Sequence, residues 1–121
     1  MKSNEMAVYE YNGNPISFDK IEKGYMINAT QMAKPFGKKT VEWLSNKQTK
    51  ELISSLSAKV GIPTLKLVVV QKGGNQPGTW LYEDLAIVFA QWLSPEFYLW
   101  CNDRIKELLL TGSTTILKLA A

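Results

Sequence analysis

Histidine is absent from this 121-residue chain, and cysteine occurs once, at Cys101. A single thiol excludes an intrachain disulfide framework. The two shortages together exclude the usual structural zinc site, which needs several Cys and His ligands. Without His, the commonest general base and the usual partner in a nucleophilic triad are missing. The expectation is therefore a protein that is not an enzyme and that holds no metal or other cofactor. A nuclease working through Asp or Glu and a divalent cation would be the remaining catalytic route. Glu42 and Glu51, the acids of the most basic region, share no clean helical face and make no tight carboxylate cluster. Long apolar runs are also lacking. No stretch of about 18 apolar residues exists to span a membrane. The N-terminal MKSNEMAVYEY carries no apolar core of a signal peptide, so a cytoplasmic location is expected. No internal repeat, low-complexity segment or heptad pattern is found.

What the chain does have is enough apolar material for one domain. Hydrophobic residues make up 45% and aromatic residues 11%, which supports a core that folds alone. The net charge of +3 says little, but its distribution says more. Residues 1–33 carry three Lys against four acids, and residues 73–121 three bases against five acids. Residues 34–72 carry eight Lys against Glu42 and Glu51 alone. A basic block between mildly acidic flanks is a candidate footprint for a polyanion. A solvated helix face is the plainer use of such lysines.

Along the chain, Val8 to Tyr11 and Ile16 to Phe18 alternate around the turn residues Asn12-Gly13-Asn14-Pro15, which predicts a hairpin. Asp19 to Gly24 reads as a loop, and Tyr25 to Ile27 as a third strand. Asn28 or Thr30 can cap a short helix that Pro35-Phe36-Gly37 ends. A longer helix follows, with Thr40 as N-cap and Val41, Leu44, Gln48, Leu52 and Leu56 on one stripe. Its other side carries Lys39, Trp43, Asn46, Lys47 and Lys50. Leu65 to Val70 predicts a strand, Gln71 to Gly78 a glycine-rich turn and Thr79-Trp80-Leu81 its return. Glu83-Asp84 opens a helix at its positive end, continued by Leu85, Val88, Phe89 and Trp92. Ser94-Pro95-Glu96 restarts a last helix lined by Phe97, Cys101, Ile105, Leu108 and Leu109. Trp80, Trp92, Trp100 and Cys101 are assigned to the core.

The expected architecture is α+β over residues 1–112, with a short tail at 113–121 and Gly112 closing the last helix. Antiparallel hairpins precede a helix-turn-helix, a hairpin wing and two C-terminal helices. In such modules the second helix lies in the major groove and backbone contacts fix its register. Lys38, Lys39 and Thr40 stand at that helix's start, where free amides also favour a phosphate. Asn46 can pair with an adenine edge, and Gln76 can do so from the wing. Lys34, Lys47, Lys50 and Lys72 suit phosphate contacts, and Gly73, Gly74 and Asn75 let the wing backbone approach closely. Trp43 either stacks at the interface or is buried in the core.

These residues resemble the KilA-N domain family over roughly residues 16–110. The resemblance rests on Gly24-Tyr25-Met26-Ile27-Asn28-Ala29-Thr30, Trp43-Leu44 and Thr49-Lys50-Glu51-Leu52-Ile53. It continues through the hairpin from Lys72-Gly73-Gly74 to Gly78-Thr79-Trp80, Asp84-Leu85-Ala86, and Gln91-Trp92-Leu93-Ser94-Pro95-Glu96-Phe97. The family occurs in phages, bacteria and large DNA viruses, and is taken to bind DNA. It is similar in fold to the fungal APSES domain, a winged helix-turn-helix with extra strands. The resemblance implies Thr40 to Ile53 as recognition helix and Gly73 to Pro77 as wing. Relatives often have an Arg beside Trp43-Leu44 where this chain has Ser45, and many carry a second domain. The implied partner is double-stranded DNA, for a phage or prophage transcriptional regulator. An antirepressor-type module that docks on a repressor is the alternative. A homodimer would raise specificity through paired half-sites.

Overall fold

The computed structural model describes residues 6–74 and 76–111. Three strands open the chain: β1 (Met6–Tyr11), β2 (Asn14–Ile21) and β3 (Gly24–Asn28). Asn12 and Gly13 both take positive φ (52° and 80°), the backbone that a tight two-residue hairpin turn requires. The segment expected as a loop from Asp19 is strand as far as Ile21. It is held there by partners on both sides, Met6 and Met26 each facing Asp19. Pairing here overrides the polar local sequence.

Asn28 caps α1 (Ala29–Ala33), its Oδ1 accepting the Gln31 N–H at 3.0 Å. A 3-10 turn, Lys34–Phe36, leads to Gly37 at φ 64°, which ends the unit as the sequence suggests. The long helix expected from Thr40 is two helices, α2 (Thr40–Leu44) and α3 (Lys47–Val60). Asn46 breaks it. Its backbone is extended, and its side chain accepts the Gln48 N–H at 3.3 Å. Asn offers the chain a local bond that competes with the helix ladder, which is why it starts helices more readily than it continues them. Lys39, rather than Thr40, occupies the cap of α2, and Glu42 receives its N–H at 3.5 Å. The apolar stripe fails at the same place: Leu56 is buried, but Val41 is 64% exposed.

Gly61 closes α3, and Pro63 opens the short α4 (Thr64–Leu67) where a strand is expected to start. The strand proper, β4 (Val68–Gln71), pairs with β5 (Gly78–Tyr82). All neighbours in the sheet are antiparallel, in the order β1-β2-β3-β5-β4. Because β5 lies against β3 with Trp80 beside Asn28, the β4–β5 tip projects at the end of the sheet where α1 begins.

Helices α5 (Glu83–Leu93) and α6 (Pro95–Thr111) follow as predicted, with Ser94 Oγ accepting the Phe97 N–H at 3.3 Å. Leu85, Phe89, Phe97, Cys101, Ile105 and Leu108 are buried, whereas Leu109 faces outward. Trp80 is fully buried, and Trp92 and Trp100 are half-buried against the core. Burial pushes the Cys101 thiol up to about 12, fitting a small core side chain. Gly112 and the tail at 113–121 lie outside the described residues.

Glu83 locks the other end of the sheet. Its Oε1 accepts the Tyr25 N–H at 2.8 Å, and a Cβ on Gly24 would collide with the same carboxylate. Burial raises the Glu83 pKa, with the Tyr25 hydrogen bond opposing and Asp84 adding to the rise. A carboxyl with a raised folded pKa stabilises most when protonated, and that contribution fades as pH rises through the folded value. Glu83→Gln keeps the acceptor and removes the charge. It is therefore expected to exceed wild-type stability at neutral pH and to lose that advantage as pH drops toward the ordinary value of 4.5. Glu83→Ala leaves the Tyr25 amide unpaired and should cost about 2 kcal/mol. Urea denaturation across pH checks both.

Candidate nucleic-acid interface

The lysines singled out from the sequence share one property. Lys34, Lys38, Lys39, Lys47, Lys50 and Lys72 are all exposed. None has an ion-pair partner among the described residues, unlike Arg104, which pairs with Glu107 at 2.6 Å. Charge left unpaired by the protein's own acids remains available to a polyanion. Lys47 and Lys50 occupy the first turn of α3, Lys39 the cap of α2 and Lys72 the wing. Lys38 is more constrained. Its Nζ donates to the Trp92 carbonyl at 3.3 Å and lies 4.6 Å from the Trp92 ring centroid. A cation at the C-terminal end of α5 is stabilised by the exposed carbonyls there.

Two of the proposed contacts are inside the protein. Trp43 is 3% exposed and packs on Phe89 with ring centroids 5.2 Å apart. Burial settles its two readings in favour of the core, where it lies against α5. Thr40 is also buried, since it is the first helical residue rather than the cap. Asn46 remains exposed at the start of α3, with its Oδ1 engaged in capping. Beside it, a cleft of about 310 Å³ separates α3 from α5. Gln48 and Gln91 line that cleft with Asn46, over walls formed by Trp43 and Trp92. The sequence marks Gln48 only as a member of the helix stripe and Gln91 only within the family motif, because their meeting across the cleft is visible only after folding.

The wing has a glycine tip, with Gly73 and Gly74 at φ 73° and 76°, a backbone that L side chains rarely adopt. Asn75 lies outside the described residues. Gln76 turns inward. Its Oε1 accepts from Ser17 Oγ at 3.2 Å and from Gln31 Nε2 at 3.3 Å, while its carbonyl accepts the Trp80 indole N–H at 3.1 Å. Asn28 Nδ2 donates to the Pro77 carbonyl at 3.1 Å, and Thr30 Oγ1 accepts the Thr79 N–H at 3.0 Å. Sequence reading found Asn28 and Thr30 only as caps for α1; their hold on the wing depends on β5 lying beside β3. Helix α1 packs against β5 and also against α2, so it joins the β4–β5 hairpin to the helices that follow α1.

No helix among the described residues is long and apolar enough to cross a membrane. The family described as KilA-N domain matches residues 9–110. A putative KilA-N domain-containing protein of Acanthamoeba polyphaga mimivirus is 36% identical over 84 residues, covering 63% of this chain and 23% of that protein. One from Invertebrate iridescent virus 6 is 33% identical over 98 residues, 75% of this chain and 27% of its own length. Protein kilA of Escherichia phage P1 is 34% identical over 81 residues, 65% of this chain and 29% of its own. The matched region thus spans between 23% and 29% of each of these relatives. No solved structure matches the chain.

Proposed function

The chain belongs to the KilA-N domain family, and from that premise we propose that it binds double-stranded DNA as a winged helix-turn-helix. The observation that carries this reading is the set of exposed lysines without carboxylate partners on the first turn of α3 and on the wing. Lysine ammonium groups neutralise phosphates and release counterions, which supplies affinity without regard to sequence. In this reading α3 with its cap Asn46 enters the major groove, and the Lys72 wing reaches the adjacent groove. Lys34, Lys38 and Lys39 add backbone contacts. The sources of the relatives, two large DNA viruses and one phage, favour a viral or prophage regulator acting in the host cytoplasm.

Fluorescence anisotropy with random-sequence duplex DNA across a salt series tests it. The expected result is a log–log slope equivalent to several phosphate contacts, at about −0.9 for each. No binding at low salt would overturn the reading. Asn46→Ser separates recognition from structure, because Ser still caps α3 while losing the paired donor and acceptor that an adenine edge needs. Stability should change by only a few tenths of a kcal/mol. Selection from a random duplex pool should return sites with weaker adenine preference at one position.

A second reading is a protein-docking module of antirepressor type. It is favoured by Val70, 61% exposed on β4 at the edge of the sheet, and by Leu65, 85% exposed in the helix before it. An apolar contact of that kind survives nuclease and high salt, whereas lysine–phosphate binding fades as salt rises.

A further inference from the structure

Three residues of one short segment, Asn28, Thr30 and Gln31, begin the helix-turn-helix of the DNA-binding reading and also hold the base of the wing. Gln31 uses both ends of its amide. Its Oε1 accepts the Ser17 N–H of β2 at 2.7 Å, and its Nε2 donates to Gln76. The Ser17 hydroxyl donates to the same Gln76 oxygen, so strand, helix and wing meet at one point. Ser17 is 1% exposed and Asn28 is fully buried, which keeps water from competing for these bonds. Gly78 lets the strand pass close by. A Cβ there would lie 2.9 Å from Thr30 Oγ1 and 3.0 Å from Asn28 Oδ1, at a φ of 131°.

On its own, a two-stranded hairpin with a glycine tip is marginally ordered. It would lose conformational freedom on meeting DNA, and that loss subtracts from affinity. Hydrogen bonds at its base remove the freedom beforehand. Resting on the DNA-binding reading above, we infer that Gln31 and Gln76 are positioning residues: with Ser17 they form a polar bracket that fixes the wing relative to the helix-turn-helix, so that Lys72 reaches its phosphate without an ordering cost. Gln76 accordingly acts inside the protein, as the anchor of the wing, and does not read a base.

A double-mutant cycle tests the bracket. Affinity for random-sequence duplex DNA is measured at fixed salt for wild type, Lys72→Ala, Gln76→Ala and the double variant. Lys72→Ala should weaken wild-type binding by about 8-fold at about 0.1 M salt, as expected for one lost phosphate contact. In the Gln76→Ala background the same change should matter less than about 2-fold, because a loose wing no longer delivers the lysine. Lys47→Ala, on α3, should cost the same factor in both backgrounds. Gln31→Met, which removes both amide bonds at similar length, serves as the second bracket variant and answers the same question if Gln76→Ala does not fold. Equal Lys72 effects with and without the bracket would overturn the inference while leaving DNA binding intact. Absence of duplex binding by the wild type would instead remove the reading on which it rests.

Discussion

Reversing charge at Lys47 and Lys72 together should weaken binding to every duplex sequence by at least about 50-fold at about 0.1 M salt. The size follows from counterion release. Each phosphate contact contributes about 0.9 to the salt slope, so two lost contacts should reduce it by about 1.8. Both side chains are exposed and have no carboxylate partner among the described residues, so their reversal breaks no ion pair there. Surface substitutions of this kind usually change stability by less than about 0.5 kcal/mol. A loss of binding with the thermal midpoint unchanged would therefore locate the effect at the interface. The two residues stand on different elements, α3 and the wing, and their joint effect tests whether both face the same duplex. Unchanged affinity would sink the proposed orientation, even if the domain still bound DNA through another face.

The second large effect is structural. Trp43→Ala should destabilise the domain by about 3–5 kcal/mol, the usual range for truncating a buried aromatic. Small domains have only about 5–15 kcal/mol of stability in total, so the variant should be partly unfolded at physiological temperature. Trp43 is 3% exposed and packs on Phe89, which itself lies 5.8 Å from the Trp92 ring. Removing it opens a void where α2 meets α5. Trp43→Phe refills part of that space and should cost less. In urea denaturation the two variants should fall in that order. In anisotropy, Trp43→Phe should keep duplex affinity within about 2-fold of wild type, since only 3% of the residue is exposed, at the floor of the cleft beside Asn46. A folded Trp43→Phe protein with much weaker binding would return Trp43 to the interface.

Much of this fold could be read before folding, because its signals are local. Asn12-Gly13 specifies a tight turn, Gly37 and Gly61 end helices, and Ser94-Pro95 starts one. The alternation in β2 and the stripe in α6 place Ile16, Phe18, Phe97, Cys101 and Ile105 in the core, where they are buried. Errors arose where a polar residue had two local options. Asn46 reads equally well as a solvated residue within a helix or as the cap of a new one, and the second prevails. Leu65 reads as the start of a strand, but Pro63 initiates a helical turn first and leaves that leucine exposed.

The sequence by itself determined the α+β class, the family, the basic middle third and the order of elements apart from the break at Asn46 and the helical turn Thr64–Leu67, because each depends on spacing or composition along the chain. Tertiary structure decided what each polar side chain is used for. It placed Trp43 under α5, left the six candidate lysines without ion-pair partners among the described residues, and brought Gln31 and Gln76 together across 45 residues of chain. Contacts of that range are set by how β5 lies on β3 and how α1 folds against both, and no local pattern encodes them.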